Sequence, residues 1–245
     1  MASYATAPEL GRYAIRSVDR AEVLRYLGYL GHDVAPGFDE ELDARIDRVI
    51  ARCVDVSQPA GMVRVFDIAA AGTADEPPVL AGTTLRLSGH DISAHLRGAR
   101  AVALMSVTLG LANERELLRL SLTSPLDQAI FDAAGSALVE RAADAAEARI
   151  IALAAERGLY ANDRYAPGYG DLGLEVQPAL LESLNAPKLL GVSLTPSNML
   201  VPTKSETAIL GLFDELQEHR EDRLCNVCAC REFCTIRTQG RTCRG

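Results

Sequence analysis

The segment Asn162–Leu181, "NDRYAPGYGDLGLEVQPALL", separates two helical patterns and is not an ordinary connector. It carries one arginine, a proline turn, a tyrosine flanked by two glycines, and an aspartate ahead of a new apolar run. Pro167 sets φ for a turn, and Gly168 and Gly170 admit positive φ and close approach of the backbone. Arg164 offers a planar fork for a carboxylate, and Tyr169 a flat face with a hydroxyl. These properties match a zwitterionic ligand bearing an aromatic base. The plainer reading is a glycine-rich turn capped by an exposed arginine.

Upstream, residues 125–158 have Ala-rich apolar positions spaced by three and four, ending at Gly158, which predicts a long helix. Downstream, a helix is expected near Leu174–Leu184, followed by β-type runs at Lys188–Thr195 ("KLLGVSLT") and Ala208–Phe213 ("AILGLF"). Nearer the N-terminus, 17–31 and 37–56 read as two helices joined by a Gly/Pro turn. In the second, Phe38, Leu42, Ile46, Val49, Ile50 and Cys53 recur at helical spacing, so Cys53 reads as a core residue. Between these and the long helix, β-type runs are expected at Met62–Ile68, Thr83–Leu87 and Ala101–Thr108. The chain divides into an N-terminal helical segment (1–60), an α/β core (61–218) and a Cys-rich tail (219–245).

The chain has 245 residues, 48% hydrophobic and 24% charged, with a net charge of -8. A broad phosphate-binding face is excluded on that charge, and with it nucleic acid as a partner. No run of 18 apolar residues occurs and the N-terminus lacks a basic-then-apolar leader, so no membrane association and a cytoplasmic location are expected. "GHDISAHLRG" holds Asp91, His95 and Gly98, but two extra residues separate it from an Asp-x-His-x-x-Gly corrinoid ligand motif. No His-Glu-x-x-His zinc site, G-x-G-x-x-G dinucleotide turn or G-x-S-x-G nucleophile elbow is present.

The tail is more specific. Cys225 and Cys228 form a C-x-x-C pair, Cys234 follows, and Cys243 closes a four-thiolate set with Cys230 as a competing ligand. Such a group suits an iron–sulfur cluster or a structural zinc, and the missing second C-x-x-C knuckle favours iron–sulfur. Arg223, Arg231, Arg237, Arg241 and Arg244 against the single acid Glu232 make this tail basic on an acidic body.

The opening motif and the segments around it resemble the reactivation domain of cobalamin-dependent methionine synthase, which binds S-adenosylmethionine. Arg164, Gly168 and Tyr169 match its Arg-x-x-x-Gly-Tyr motif. "GVSLTPSNMLVPTKSETAILGLF" (191–213) looks like its Gly-x-x-Leu-Thr segment, and "GSALVERAADAAEARI" (135–150) is similar to the helix carrying a ligand-facing acid. Glu140 is the better match for that acid and Asp144 the alternative. The resemblance runs from about Gly82 to Phe213, and departs from the family where Gly173 stands in place of a proline four residues after the tyrosine. It implies an α/β (α+β) fold: a curved, mainly antiparallel sheet surrounded by helices.

It also implies a function. The homocysteine, folate and cobalamin modules of the synthase are not in this sequence, so the expectation is a stand-alone protein acting in trans on a corrinoid enzyme, with cobalamin on the partner and a flavodoxin- or ferredoxin-like electron donor. Arg164 would take the methionine carboxylate, Glu140 the ammonium, and Gly168 and Tyr169 the adenosine and methyl side; similar cysteine tails are associated with stand-alone relatives. The alternative is a non-redox S-adenosylmethionine or corrinoid-protein binding module with structural zinc. An ordinary small-molecule methyltransferase is disfavoured by the absence of a glycine-rich strand–loop signature.

Overall fold

The computed structural model describes residues 3–28, 40–73 and 75–217; the tail with Cys225, Cys228, Cys230, Cys234 and Cys243 lies outside these residues. In chain order the elements are β1 (Glu9–Arg12), α1 (Arg20–Tyr26), α2 (Glu40–Val56), β2 (Ala60–Ala70), β3 (Val79–Leu80), α3 (His90–Leu96), β4 (Ala101–Thr108), α4 (Leu111–Thr123), α5 (Pro125–Ala155), β5 (Tyr160–Ala161), α6 (Gln177–Leu184), α7 (Ala186–Leu189), β6 (Ser193–Leu194), β7 (Leu200–Val201) and β8 (Ser205–Phe213). A six-stranded sheet runs β1-β2-β4-β8-β5 with β3 on β2, every pair antiparallel, and β6 pairs with β7 apart from it. The curled antiparallel sheet with flanking helices is the α/β arrangement that the resemblance implied.

Both faces of the sheet are covered, which is why every residue of β4 is buried, Ser106 and Thr108 included, rather than every second one. On one face Val63, Val65, Met105, Val107, Leu210 and Leu212 pack against Ala142, Ala143, Ala146 and Ile150 of α5. Small side chains there let the helix lie close to the strands. On the other face Phe66, Val102, Leu104 and Ile209 pack against Ile92 and Leu96 of α3 and Leu180, Leu181 and Leu184 of α6. The Ser124 hydroxyl caps α5 by accepting from Asp127 N, Pro125 occupies its first turn, and Gly158 (φ 70°) ends it as expected.

The described residues before β2, 3–28 and 40–59, pack onto the same body. β1 pairs with β2 in the register Leu10↔Met62 and Arg12↔Ala60. Val23 of α1 and Cys53 of α2 share a cluster with Phe131, Ala134 and Leu138 of α5. Cys53 is fully buried, as its helical spacing predicted, and burial pushes its thiol up to about 11, so it stays protonated. Among the described residues no helix is long and apolar enough to cross a membrane.

Two expectations fail locally. Thr83–Leu87 is not a strand: its alternation buries Leu85 in the core, but no neighbouring chain completes a ladder. Lys188–Thr195 is not one either, because α7 runs to Leu189, Gly191 takes φ 69°, and only Ser193–Leu194 pairs, with β7.

Glu116 of α4 anchors α2 to α4. Its carboxylate accepts from Arg119 (2.9 and 3.0 Å) and from Arg52 of α2 (3.0 Å). The hydrogen bonds from Arg119 and then Arg52 outweigh desolvation and hold its pKa at about 2. A depressed carboxylate contributes stability above its unfolded pKa of about 4.5 that is lost as pH falls through the folded value. Glu116→Gln is therefore expected to cost about 1–3 kcal/mol at pH 7 and to flatten the stability curve between about pH 4.5 and 2, as read by urea melts across that range. An unchanged acid limb would show that the trio contributes nothing.

Candidate functional site

The connection that opened the sequence reading extends the sheet edge. Asn162 N donates to Gly211 O (3.1 Å) and Gly211 N donates to Asn162 Oδ1 (2.7 Å). Tyr165 and Ile209 then exchange reciprocal backbone bonds of 3.0 and 2.9 Å. Successive side chains of extended chain point to opposite faces. Tyr165 turns toward α3, where its ring lies 5.0 Å from that of buried His95. Arg164 is thereby sent to the α5 face.

There its guanidinium, 11% exposed, meets Asp144 (3.0 Å), Glu147 (3.3 Å) and Glu140 (3.4 Å). The three acids stand at i, i+4 and i+7 on α5, one stripe of the helix. Burial of the guanidinium opposes its charge, but Glu206 of β8, Glu147, Glu140 and Asp144 outweigh it and hold its pKa above the ordinary arginine value. One cation thus sits among four carboxylates, leaving the cluster net negative.

Beyond Arg164 the chain turns tightly. Gly168 N donates to Leu172 O (2.7 Å), Tyr169 N to Ala166 O (3.1 Å) and the Tyr165 hydroxyl to Tyr169 O (3.2 Å). Gly168 and Gly170 take φ 94° and 51°. The positive φ of Gly170 favours glycine, and a Cβ there would displace the Asp91 carboxylate and the Tyr165 hydroxyl. Asp171 closes the turn by accepting from His90 N (2.6 Å) and Asp91 N (3.1 Å) at the start of α3. Tyr169 stacks edge-on with Tyr165 at 6.3 Å and is 53% exposed.

Of the residues singled out in the sequence, Arg164, Glu140 and the alternative acid Asp144 are brought together. Gly168 and Tyr169 occupy the adjoining turn, with Tyr169 on the α3 side. Glu147 and Glu206 were missed: the α5 spacing could have revealed Glu147, whereas Glu206 reaches the cluster only through the pairing of β8. Asp91 and His95 do not converge as ligands, since His95 is buried against Tyr165 and Asp91 is exposed at the helix start. Among the described residues no group of three or more His, Cys, Asp and Glu side chains could hold a metal ion.

No protein-family profile and no curated protein sequence matches the chain. Its structure is similar to the crystal structure of the MetH reactivation domain bound to AdoHcy, with a TM-score of 0.60, 14% sequence identity, and coverage of 98% of this chain and 88% of that one. The chain carries the fold of the MetH reactivation domain.

Proposed function

We propose that this protein binds S-adenosylmethionine at the Arg164 cluster and supports the reductive methylation of an inactive cobalt(II) corrinoid, acting in trans on cobalamin-dependent methionine synthase or a related corrinoid methyltransferase. One observation carries the reading: the matched arginine is buried at the sheet edge against the matched acid of α5, on a fold whose solved counterpart binds the demethylated form of the same ligand. S-adenosylmethionine bears a sulfonium, an ammonium and a carboxylate. A net-negative cluster built round one guanidinium is complementary to that pattern.

A corrinoid carried by the partner would supply the methyl acceptor, cobalt reduced by one electron from a flavodoxin- or ferredoxin-like donor, and S-adenosylhomocysteine would be the leaving group. This chain binds and orients the methyl donor. Arg164 takes the ligand carboxylate in competition with Asp144 and Glu140, whose half-exposed side chains are able to swing aside. Those acids then receive the ammonium. Gly168 holds the turn so that exposed Tyr169 offers its face to the adenosine. An iron–sulfur cluster or zinc on Cys225, Cys228, Cys234 and Cys243 belongs to the same proposal, the cluster serving as an electron relay.

The test is anaerobic. The full chain, S-adenosylmethionine, reduced flavodoxin and a cobalt(II) corrinoid enzyme are mixed, and methylcobalamin formation is followed by absorbance. Methylation that depends on this chain supports the reading. Ligand binding by calorimetry with no dependence of methylation on the chain would reduce it to a binding module, and no binding would sink it.

A further inference from the structure

On the sheet face away from α5, where β2 begins and β4 ends, the surface falls into a concavity of about 410 Å³. Topology explains its lining. Strand alternation and the register Leu10↔Met62 and Arg12↔Ala60 place Leu10 and Arg12 together on the face that Met62 shares with α3 and α6. Leu111 and Arg115 stand at i and i+4 on α4, and Leu189 ends α7 across from them.

Two features of this concavity combine into a ligand-binding pattern. No Asp or Glu lines it, although the chain is acidic overall with a net charge of -8. Arg12 and Arg115 both line it, and among the described residues neither has an ion-pair or hydrogen-bond partner. Arg20, Arg25, Arg45, Arg52, Arg119 and Arg149 are each paired with a carboxylate, whereas Arg16, Arg48 and Arg141, which lie elsewhere, share the lack of an ion pair among the described residues; what the concavity adds is two such guanidiniums in one hollow. The second feature is apolar: Leu10, Leu111 and Leu189 are 41%, 51% and 41% exposed around the same hollow. Unpaired guanidiniums beside exposed leucines form an amphiphilic receptor.

We propose that this concavity binds a small amphiphilic anion, a carboxylate or phosphate head held by Arg12 and Arg115 with a short apolar body on Leu10, Leu111 and Leu189. A bare inorganic anion leaves the leucines in water, and a neutral apolar molecule leaves both guanidiniums without a partner. The volume lies in the range of small-molecule sites, roughly 300–1,000 Å³. The concavity shares no residue with the loop 164–171 or the α5 acids, so its test is independent of the S-adenosylmethionine reading.

Calorimetric titration of the full chain at low ionic strength tests this, using octanoate and octyl phosphate below their micelle-forming concentrations. Inorganic phosphate supplies the head alone and octyl glucoside the tail with a neutral head. One site per chain is expected, at least about tenfold tighter for one of the two anions than for either control, and weakened about tenfold or more in Arg12→Gln/Arg115→Gln. Added salt weakens binding because the heads are exposed. Octanoate binding tighter assigns a fatty-acid-type ligand, and octyl phosphate a phosphate ester. The double variant changes only exposed side chains, so its melting temperature and S-adenosylmethionine affinity stay at wild-type values. Anion binding no tighter than the controls, or undiminished in the double variant, overturns the proposal. Leu111→Ser, with both arginines intact, should also weaken the amphiphiles and leave inorganic phosphate unchanged.

Discussion

Arg164→Ala is expected to weaken S-adenosylmethionine binding by about 2–5 kcal/mol, a factor of roughly 30 or more, as measured by calorimetry. Two losses contribute. The ligand carboxylate loses its fork, and Glu140, Asp144, Glu147 and Glu206 lose the cation between them. The second loss appears without ligand as reduced stability. Glu140 and Asp144 are half exposed, which discounts the penalty of a fully buried broken pair to about 1–3 kcal/mol.

Its pH dependence has a definite sign. The raised Arg164 pKa means that the wild-type contribution is fully present below the ordinary arginine value and is lost only as pH rises through the folded one, so it is constant between pH 5 and 8. The deficit of the alanine variant is therefore expected to be the same at pH 8 and pH 5, as read by urea melts. Arg164→Lys separates the two roles, keeping the charge but not the fork: stability is largely retained while affinity falls. An alanine variant that binds like wild type would sink the assignment of this loop.

Phe131→Ala is expected to cost about 3–5 kcal/mol, a large part of the 5–15 kcal/mol that folding usually yields. The ring is fully buried on α5 where α1, α2 and α4 meet it, alongside Val23, Cys53, Leu109 and Leu120. The same variant bears on organisation. If residues 1–60 share one cooperative core with the sheet, chemical denaturation shows a single transition at lower midpoint by both far-ultraviolet dichroism and tyrosine fluorescence. Two separated transitions would mean that the N-terminal helices fold as their own unit.

Much of the sheet–helix core was legible because its signals are local. The run Ala101–Thr108 is apolar except at Ser106 and Thr108, and the three-and-four spacing up to Gly158 marks α5 almost to its end. α4 escaped notice for a physical reason: Leu111, Leu118 and Leu122 are exposed while Asn113 and Glu116 are buried, the inverse of the pattern that announces an amphipathic helix. Asn113 donates to Ser57, just past the end of α2, and Glu116 accepts from Arg52 of α2, so polar partners distant in sequence make that inversion tolerable. Thr83–Leu87 shows the converse, a strand-like alternation with no partner strand.

By itself the sequence determined α2, α5, α6 and the central strands β2, β4 and β8, the glycine turn at 168–170, and the presence of an arginine and acids of matching type on either side of it. These follow from side-chain periodicity and backbone sterics within a few residues. Tertiary structure alone decided that Arg164 faces α5 rather than α3, that Glu147 and Glu206 join Glu140 and Asp144 around it, and that Arg12 meets Arg115 in one hollow. The reason is that side-chain direction on an edge strand is set by its register against β8, and a charge is neutralised or left unpaired by groups tens of residues away.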